Sequence, residues 1–158
     1  MTAAEAVAFV LRSTQQRPQT EAEVRAKLVG RGAEPAVVEA ALERVRAVGA
    51  VDDAAFAAAW VEDRGRGRGY GRARLREELL RRKVPAPLVE DALMALEERD
   101  DLAVATDLAR GRLRQLPASL QPEAIARRLQ AWLQRRGYPP GLAQRVAIEV
   151  SGLDRVWD

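Results

Sequence analysis

A nine-residue apolar pattern that recurs three times places the tightest constraint on how this chain folds. In the first copy Val37, Val38, Ala41, Leu42 and Val45 lie at i, i+1, i+4, i+5 and i+8, a stripe of helical period. Shifted by 51 residues the stripe returns as Leu88, Val89, Ala92, Leu93 and Leu96. Shifted by a further 54 it returns as Leu142, Ala143, Val146, Ala147 and Val150. All fifteen positions are apolar, so one buried helical face is written three times.

The helix before each stripe repeats at the same offsets. Val24 and Leu28 correspond to Leu75 and Leu79, then to Leu129 and Leu133. Ala33, Val84 and Tyr138 follow Gly32, Lys83 and Gly137, where glycine suits the left-handed residue that ends a helix. Lys83 departs from that pattern, so this junction is expected to end differently or to carry modest strain. A first helix in each unit is fainter: Phe9 and Val10 match Trp60 and Val61, and Asp52-Asp53 match Asp100-Asp101. Six additional residues in the last unit fall near Leu116–Pro122, where Pro117 and Pro122 interrupt a helix.

Helix starts agree. Thr2 with Glu5 and Thr20 with Glu23 have capping-box spacing, Asp52 or Asp53 and Asp101 are N-cap candidates, and Pro35, Pro85, Pro122 and Pro139 suit first turns. The expected fold is all-α: three tandem three-helix repeats, 2–49, 52–99 and 101–151, with a tail at 152–158, forming an elongated, curved, modular array. Aromatic residues are only 4%, so the core must come from Ala, Val and Leu.

Composition narrows the chemistry. The chain has no Cys and no His, which removes thiolate nucleophiles, imidazole bases and nearly all zinc or haem sites. Only three Ser are present, with no partner set for catalysis, and no Gly-rich phosphate-binding motif accompanies the carboxylates. No enzyme activity, metal or cofactor is expected. No apolar run approaches the ~20 residues that span a bilayer, and the N-terminus lacks the basic-then-apolar pattern of a signal peptide. A soluble, cytoplasmic monomer is the expectation. The 24 Arg against 2 Lys are consistent with a GC-rich coding bias, but their placement is a separate matter.

The stretch VDDAAFAAAWVEDRGRGRGYGRARLREELLRRKVPAPLVEDAL, residues 51–93, resembles the RecX family of recombination regulators. It has an Asp-Asp opening, an aromatic three residues after the second Asp, a helix running into an Arg- and Gly-bearing loop, and then Gly71 with the RLREELLRRK helix. TEAEVRAKLVGRGAEPAVVEAAL, residues 20–42, fits the unit before it. Lys83 stands where the family usually has Gly, and the first unit begins almost at once. The resemblance implies a non-enzymatic regulatory protein that binds in the helical groove of RecA–DNA filaments. It implies inhibition of RecA's ATPase, strand-exchange and co-protease activities, and hence a part in DNA repair, DNA recombination and the SOS response.

Two basic blocks are the candidate partner- or DNA-binding residues. Arg64, Arg66, Arg68, Arg72, Arg74, Arg76, Arg81, Arg82 and Lys83 face only Glu77 and Glu78 within residues 64–83. Gly65, Gly67, Gly69 and Gly71 interleave them, which suggests a flexible loop that a phosphate or a protein groove could approach closely. Guanidinium forks suit phosphate and carboxylate, and Tyr70 could stack on a base or enter a protein pocket. The other reading of this block is a solubilising linker. The second block is Arg127, Arg128, Arg135 and Arg136, near Trp132 and Tyr138, with no acid in 124–136. Here core packing of Trp132 is an equal alternative.

Asp52-Asp53 reads as an N-cap pair rather than a metal or acid–base site, and Phe56 with Trp60 reads as core. Trp157 in the tail is a candidate surface contact. Partners are then the RecA filament, with single- or double-stranded DNA touched through phosphates. The alternative function is a helical DNA-binding protein acting without RecA. Its recognition helix would be 72–82, which has Arg but no Asn or Gln to read adenine.

Overall fold

A computed structural model describes residues 1–155, and Trp157 lies outside that range. Nine α-helices carry the described chain: α1 (Ala3–Gln16), α2 (Glu21–Gly30), α3 (Pro35–Ala47), α4 (Asp53–Trp60), α5 (Arg72–Arg81), α6 (Ala86–Leu93), α7 (Asp101–Leu113), α8 (Pro122–Arg135) and α9 (Pro140–Ser151). No strand occurs among the described residues. The all-α, three-by-three helical reading of the sequence is therefore met.

By packing, the chain forms two compact units, and the division passes through the central repeat. The first comprises Met1–Trp60 with Glu78–Ala92. Its core is Ala6, Val10, Val24, Leu28, Val38, Ala41, Leu42 and Val45, so α1, α2 and α3 close on one another through the apolar stripe. The second comprises Val61–Glu77 with the chain from Leu93 on. There Ala105, Ala109, Leu129, Leu133, Val146 and Ala147 bring α7, α8 and α9 together. Small alanines on α7 and α9 let these short helices approach closely. Each fully buried Leu or Val contributes about 1.5–3 kcal/mol.

The three α2-type helices end in the same way. Ala33, Val84 and Tyr138 donate their N–H groups to the carbonyls of Leu28, Leu79 and Leu133, each at 3.1 Å. Gly32, Lys83 and Gly137 donate to Val29, Leu80 and Gln134 at 2.9–3.0 Å. This is the paired hydrogen bonding of a Schellman motif. Lys83 does not end its helix differently: it adopts φ +66°, beside +81° for Gly32 and +102° for Gly137. A Cβ in that region costs roughly 1–2 kcal/mol, and burying Val84 behind it holds the geometry.

The N-termini divide between expectation and correction. Thr2 and Glu5 form the full capping box. Thr20 caps Glu23 N–H, but the Glu23 carboxylate turns to Arg82 instead of closing the box. Asp52 caps its own helix through Ala55 N–H, whereas Asp53 reaches across to cap α2 through Glu21 N–H at 2.9 Å. Burial raises the Asp53 pKa above the ordinary carboxylate value. In the last unit Asp100, not Asp101, is the N-cap, because Asp101 is held by Arg72 and Arg99.

The expected flexible loop after α4 is absent. The helix continues with π pitch over Val61–Gly67, and Tyr70 N–H closes on Arg64 O at 2.9 Å. Gly65, Gly69 and Gly71 are packing residues, whereas Gly67 is exposed. A Cβ on Gly65 would lie 3.1 Å from Leu75, one on Gly69 2.9 Å from Leu108, and one on Gly71 2.3 Å from the Gly137 carbonyl oxygen.

Candidate functional site

The basic segment 61–72 belongs to the second unit and is held from below by three side chains. Arg99 Nη1 donates to the carbonyls of Gly65 at 3.0 Å and Tyr70 at 3.1 Å, while its Nε pairs with Asp101 at 2.8 Å. The Tyr138 hydroxyl donates to Gly69 O at 2.6 Å, and Arg136 Nη2 donates to Arg68 O. These donors satisfy carbonyls at the end of a helix, where the backbone carries partial negative charge. Burial raises the Tyr138 pKa, which keeps its hydroxyl protonated as a donor.

The start of α5 is docked just as firmly. Gly71 N–H donates to Arg136 O at 2.8 Å and Ala73 N–H to Gly137 O at 3.3 Å, so the N-terminus of α5 abuts the C-terminus of α8. Only glycine at 71 permits that approach. Arg72 then pairs with Asp101 and also donates to the Leu96 carbonyl.

The sequence-nominated arginines fall into two groups. Arg72, Arg82 and Arg136 serve internal contacts: Arg82 pairs with Glu23 at 2.6 Å and lies over Phe56 and Trp60. Arg74 and Arg136 lie 3.8 Å and 4.7 Å from the centre of the Tyr70 ring. Tyr70 is thus already stacked against two guanidiniums. Arg66 and Arg68 stay more than half exposed, at 57% and 54%, although Arg66 donates to Ala95 O and lies 3.4 Å from Glu62. Arg81, Lys83, Arg127, Arg128 and Arg135 are exposed, and Arg64 and Arg76 are half-buried. Trp132 is half-buried and packs against the core of α7, α8 and α9, and Phe56 is buried with Trp60 stacked 5.6 Å away.

Arg99 was missed by motif reading because it sits in an acidic stretch. The repeat register contained the signal: Arg99-Asp100-Asp101 aligns with Val51-Asp52-Asp53, so a charge occupies a position that is apolar and buried one unit earlier. Among the described residues no group of His, Cys, Asp and Glu could hold a metal ion, and no helix is long and apolar enough to cross a membrane.

Comparison with known proteins agrees with this architecture. Residues 11–44, 52–93 and 98–147 match the first, second and third three-helix domains of RecX. The regulatory protein RecX of Thermobifida fusca is 40% identical over 146 residues, covering 92% of this chain and 78% of that protein. That of Streptomyces coelicolor is 36% identical over 153 residues, covering 95% and 81%. The crystal structure of RecX from Lactobacillus salivarius shares the fold with a TM-score of 0.76 at 14% identity, over 94% of this chain and 96% of that one. With its three helical domains matched in order and relatives similar across most of their length, the chain belongs to the RecX family of regulatory proteins.

Proposed function

We propose that this protein binds the RecA–DNA filament and inhibits the ATPase, strand-exchange and co-protease activities of RecA, without catalysis of its own. The observation that carries this reading is the rigid presentation of Arg66 and Arg68. Arg99, Arg136 and Tyr138 hold the backbone around them at the carbonyls of Gly65, Arg68 and Gly69, while both side chains stay more than half exposed beside Glu62 and Asp63. A preorganised cationic edge loses little entropy on meeting an anionic filament. Arg127 and Arg128 add exposed positive charge within the same unit. The alternative, a helix reading bases without RecA, is disfavoured by α5 itself. Arg72, its first residue, and Arg82, just past its last turn, are committed to Asp101 and Glu23.

The test is RecA-mediated strand exchange with wild type and with Arg66→Ala/Arg68→Ala, leaving the structural Arg72 in place. The variant should keep its helical circular dichroism and lose most of its inhibition. Full inhibition by the variant would move the RecA-facing surface away from this segment. Excess competitor DNA should leave wild-type inhibition largely intact; abolition by competitor would favour the DNA-only reading.

A further inference from the structure

Met94 is the single large apolar side chain of the second unit that stays exposed among the described residues, at 63%. It opens the short turn Met94–Leu96 that follows α6, between the buried Leu93 and Leu96. At the same position in the first repeat stands Glu43, an ordinary solvated acid. Here the methionine borders a groove of about 450 Å³, lined also by Arg66, Ala95, Glu97, Glu98 and Arg99. Arg66 Nη2 donates to Ala95 O at 2.8 Å, so the groove adjoins the exposed basic segment. A scattered surface methionine needs no explanation by itself. This one sits beside charges that the fold leaves unused.

Both cations of the groove already have a carboxylate nearby. Arg99 pairs with Asp101, which Arg72 shares, and Arg66 lies 3.4 Å from Glu62. Glu97 and Glu98 are exposed, and among the described residues their carboxylates make no ion pair. The first repeat shows what Glu97 forgoes. There Arg46 and Glu21 pair, with Nε donating at 3.1 Å. Their repeat positions in the central copy hold Glu97 and Arg72, the same two charges exchanged. Arg72 nevertheless turns to Asp101 and the Leu96 carbonyl, and Glu97 stays with solvent. Two adjacent free carboxylates repel a phosphate strand and attract a cationic side chain. A lysine or arginine stem lies well along an apolar surface while its head stays among charges, and a methionine adapts its shape to such a stem.

We propose that this groove receives a lysine or arginine side chain from the protein of the filament, its stem against Met94 and its charged head at Glu97 and Glu98. The proposal rests on the filament reading and deepens it. The groove recognises protein beside arginines that suit an anionic polymer, so the second unit distinguishes a protein-coated strand from a bare one.

The experiment compares the full wild-type chain with Glu97→Gln/Glu98→Gln and with Met94→Ala. Each is measured by co-sedimentation with RecA assembled on single-stranded DNA, and by fluorescence anisotropy with the same DNA alone, at one salt concentration. All three side chains are exposed, so thermal melting should find both variants as stable as wild type. Removing the two carboxylates should weaken filament binding about tenfold and leave bare-strand binding unchanged or slightly tighter. Met94→Ala should weaken filament binding about threefold, again with no change on the bare strand. An equal loss on filament and bare strand overturns the proposal. A loss that accompanies dispersal of a wild-type dimer in sedimentation equilibrium also overturns it, in favour of a second copy of this chain. If the folded double variant binds the filament as tightly as wild type, and wild type still prefers filament to bare DNA, the groove falls and the filament reading stands. If wild type shows no such preference, both fall.

Discussion

Arg82 and Arg136 occupy the same place in successive copies of one helical junction, yet they do different work. Both precede a left-handed residue, Lys83 or Gly137, and both lie over aromatic rings. Each backbone carbonyl also receives the start of another helix, from the Thr20 hydroxyl at 3.0 Å in the first unit and from Gly71 N–H at 2.8 Å in the second. The charge environment differs most: Glu23 faces Arg82, and Arg74 takes the equivalent position in the second unit. A repeat can thus keep a backbone device constant while one residue decides whether its arginine meets a carboxylate or another cation.

If the copies share their packing, equivalent core truncations should cost the same. Leu79→Ala and Leu133→Ala, both fully buried, should each lose about 2–5 kcal/mol in denaturant melts, as should Leu93→Ala at 4% exposure. A loss below about 0.5 kcal/mol at any of them would mean that its stripe does not form the core. Gly71→Ala should cost about 3 kcal/mol, because the new Cβ meets backbone that cannot swing aside. Thr20→Ala, at the same repeat position in the first unit, removes a hydroxyl that bonds both Glu23 N–H and Arg82 O, and should cost about 1–2 kcal/mol.

The charge contrast is probed by exchanging its deciding residue. Glu23→Gln should destabilise by about 1 kcal/mol, the scale of a pair that is still about a quarter exposed. Arg74→Glu, which gives Arg136 the carboxylate that Arg82 has, should weaken filament binding severalfold while changing stability by less. Loss of stability without loss of binding would break the comparison. The smallest effect is expected at Lys83→Gly, which relieves a left-handed Cβ and should raise stability by about 1 kcal/mol or less.

Much of this was legible in the residues. The repeated apolar positions located the buried faces, since Leu42 in the stripe and Leu79, Leu129 and Leu133 in the helix before it are all fully buried. The RecX resemblance drawn from residues 51–93 is the family assignment that the comparisons support. The basic segment was harder to read. Alternating Arg and Gly has no helical hydrophobic period, so it looked like a loop. Gly65 and Gly69 in fact leave room for Leu75, Leu96 and Leu108, contacts that no local pattern reveals. The division of arginines into structural and exposed ones was likewise invisible, because Glu23 and Asp101 are far from Arg82 and Arg72 in sequence.

We propose that the RecA filament, not bare DNA, is the target of this protein. Co-sedimentation of the full chain with RecA assembled on single-stranded DNA, and with the same DNA lacking RecA, tests it at one fixed salt concentration. Binding to the filament should be at least about tenfold tighter, with the Arg66→Ala/Arg68→Ala variant losing most of that difference. Equal binding to filament and bare strand would contradict the claim and leave a DNA-binding protein that opposes RecA only by competing for its substrate.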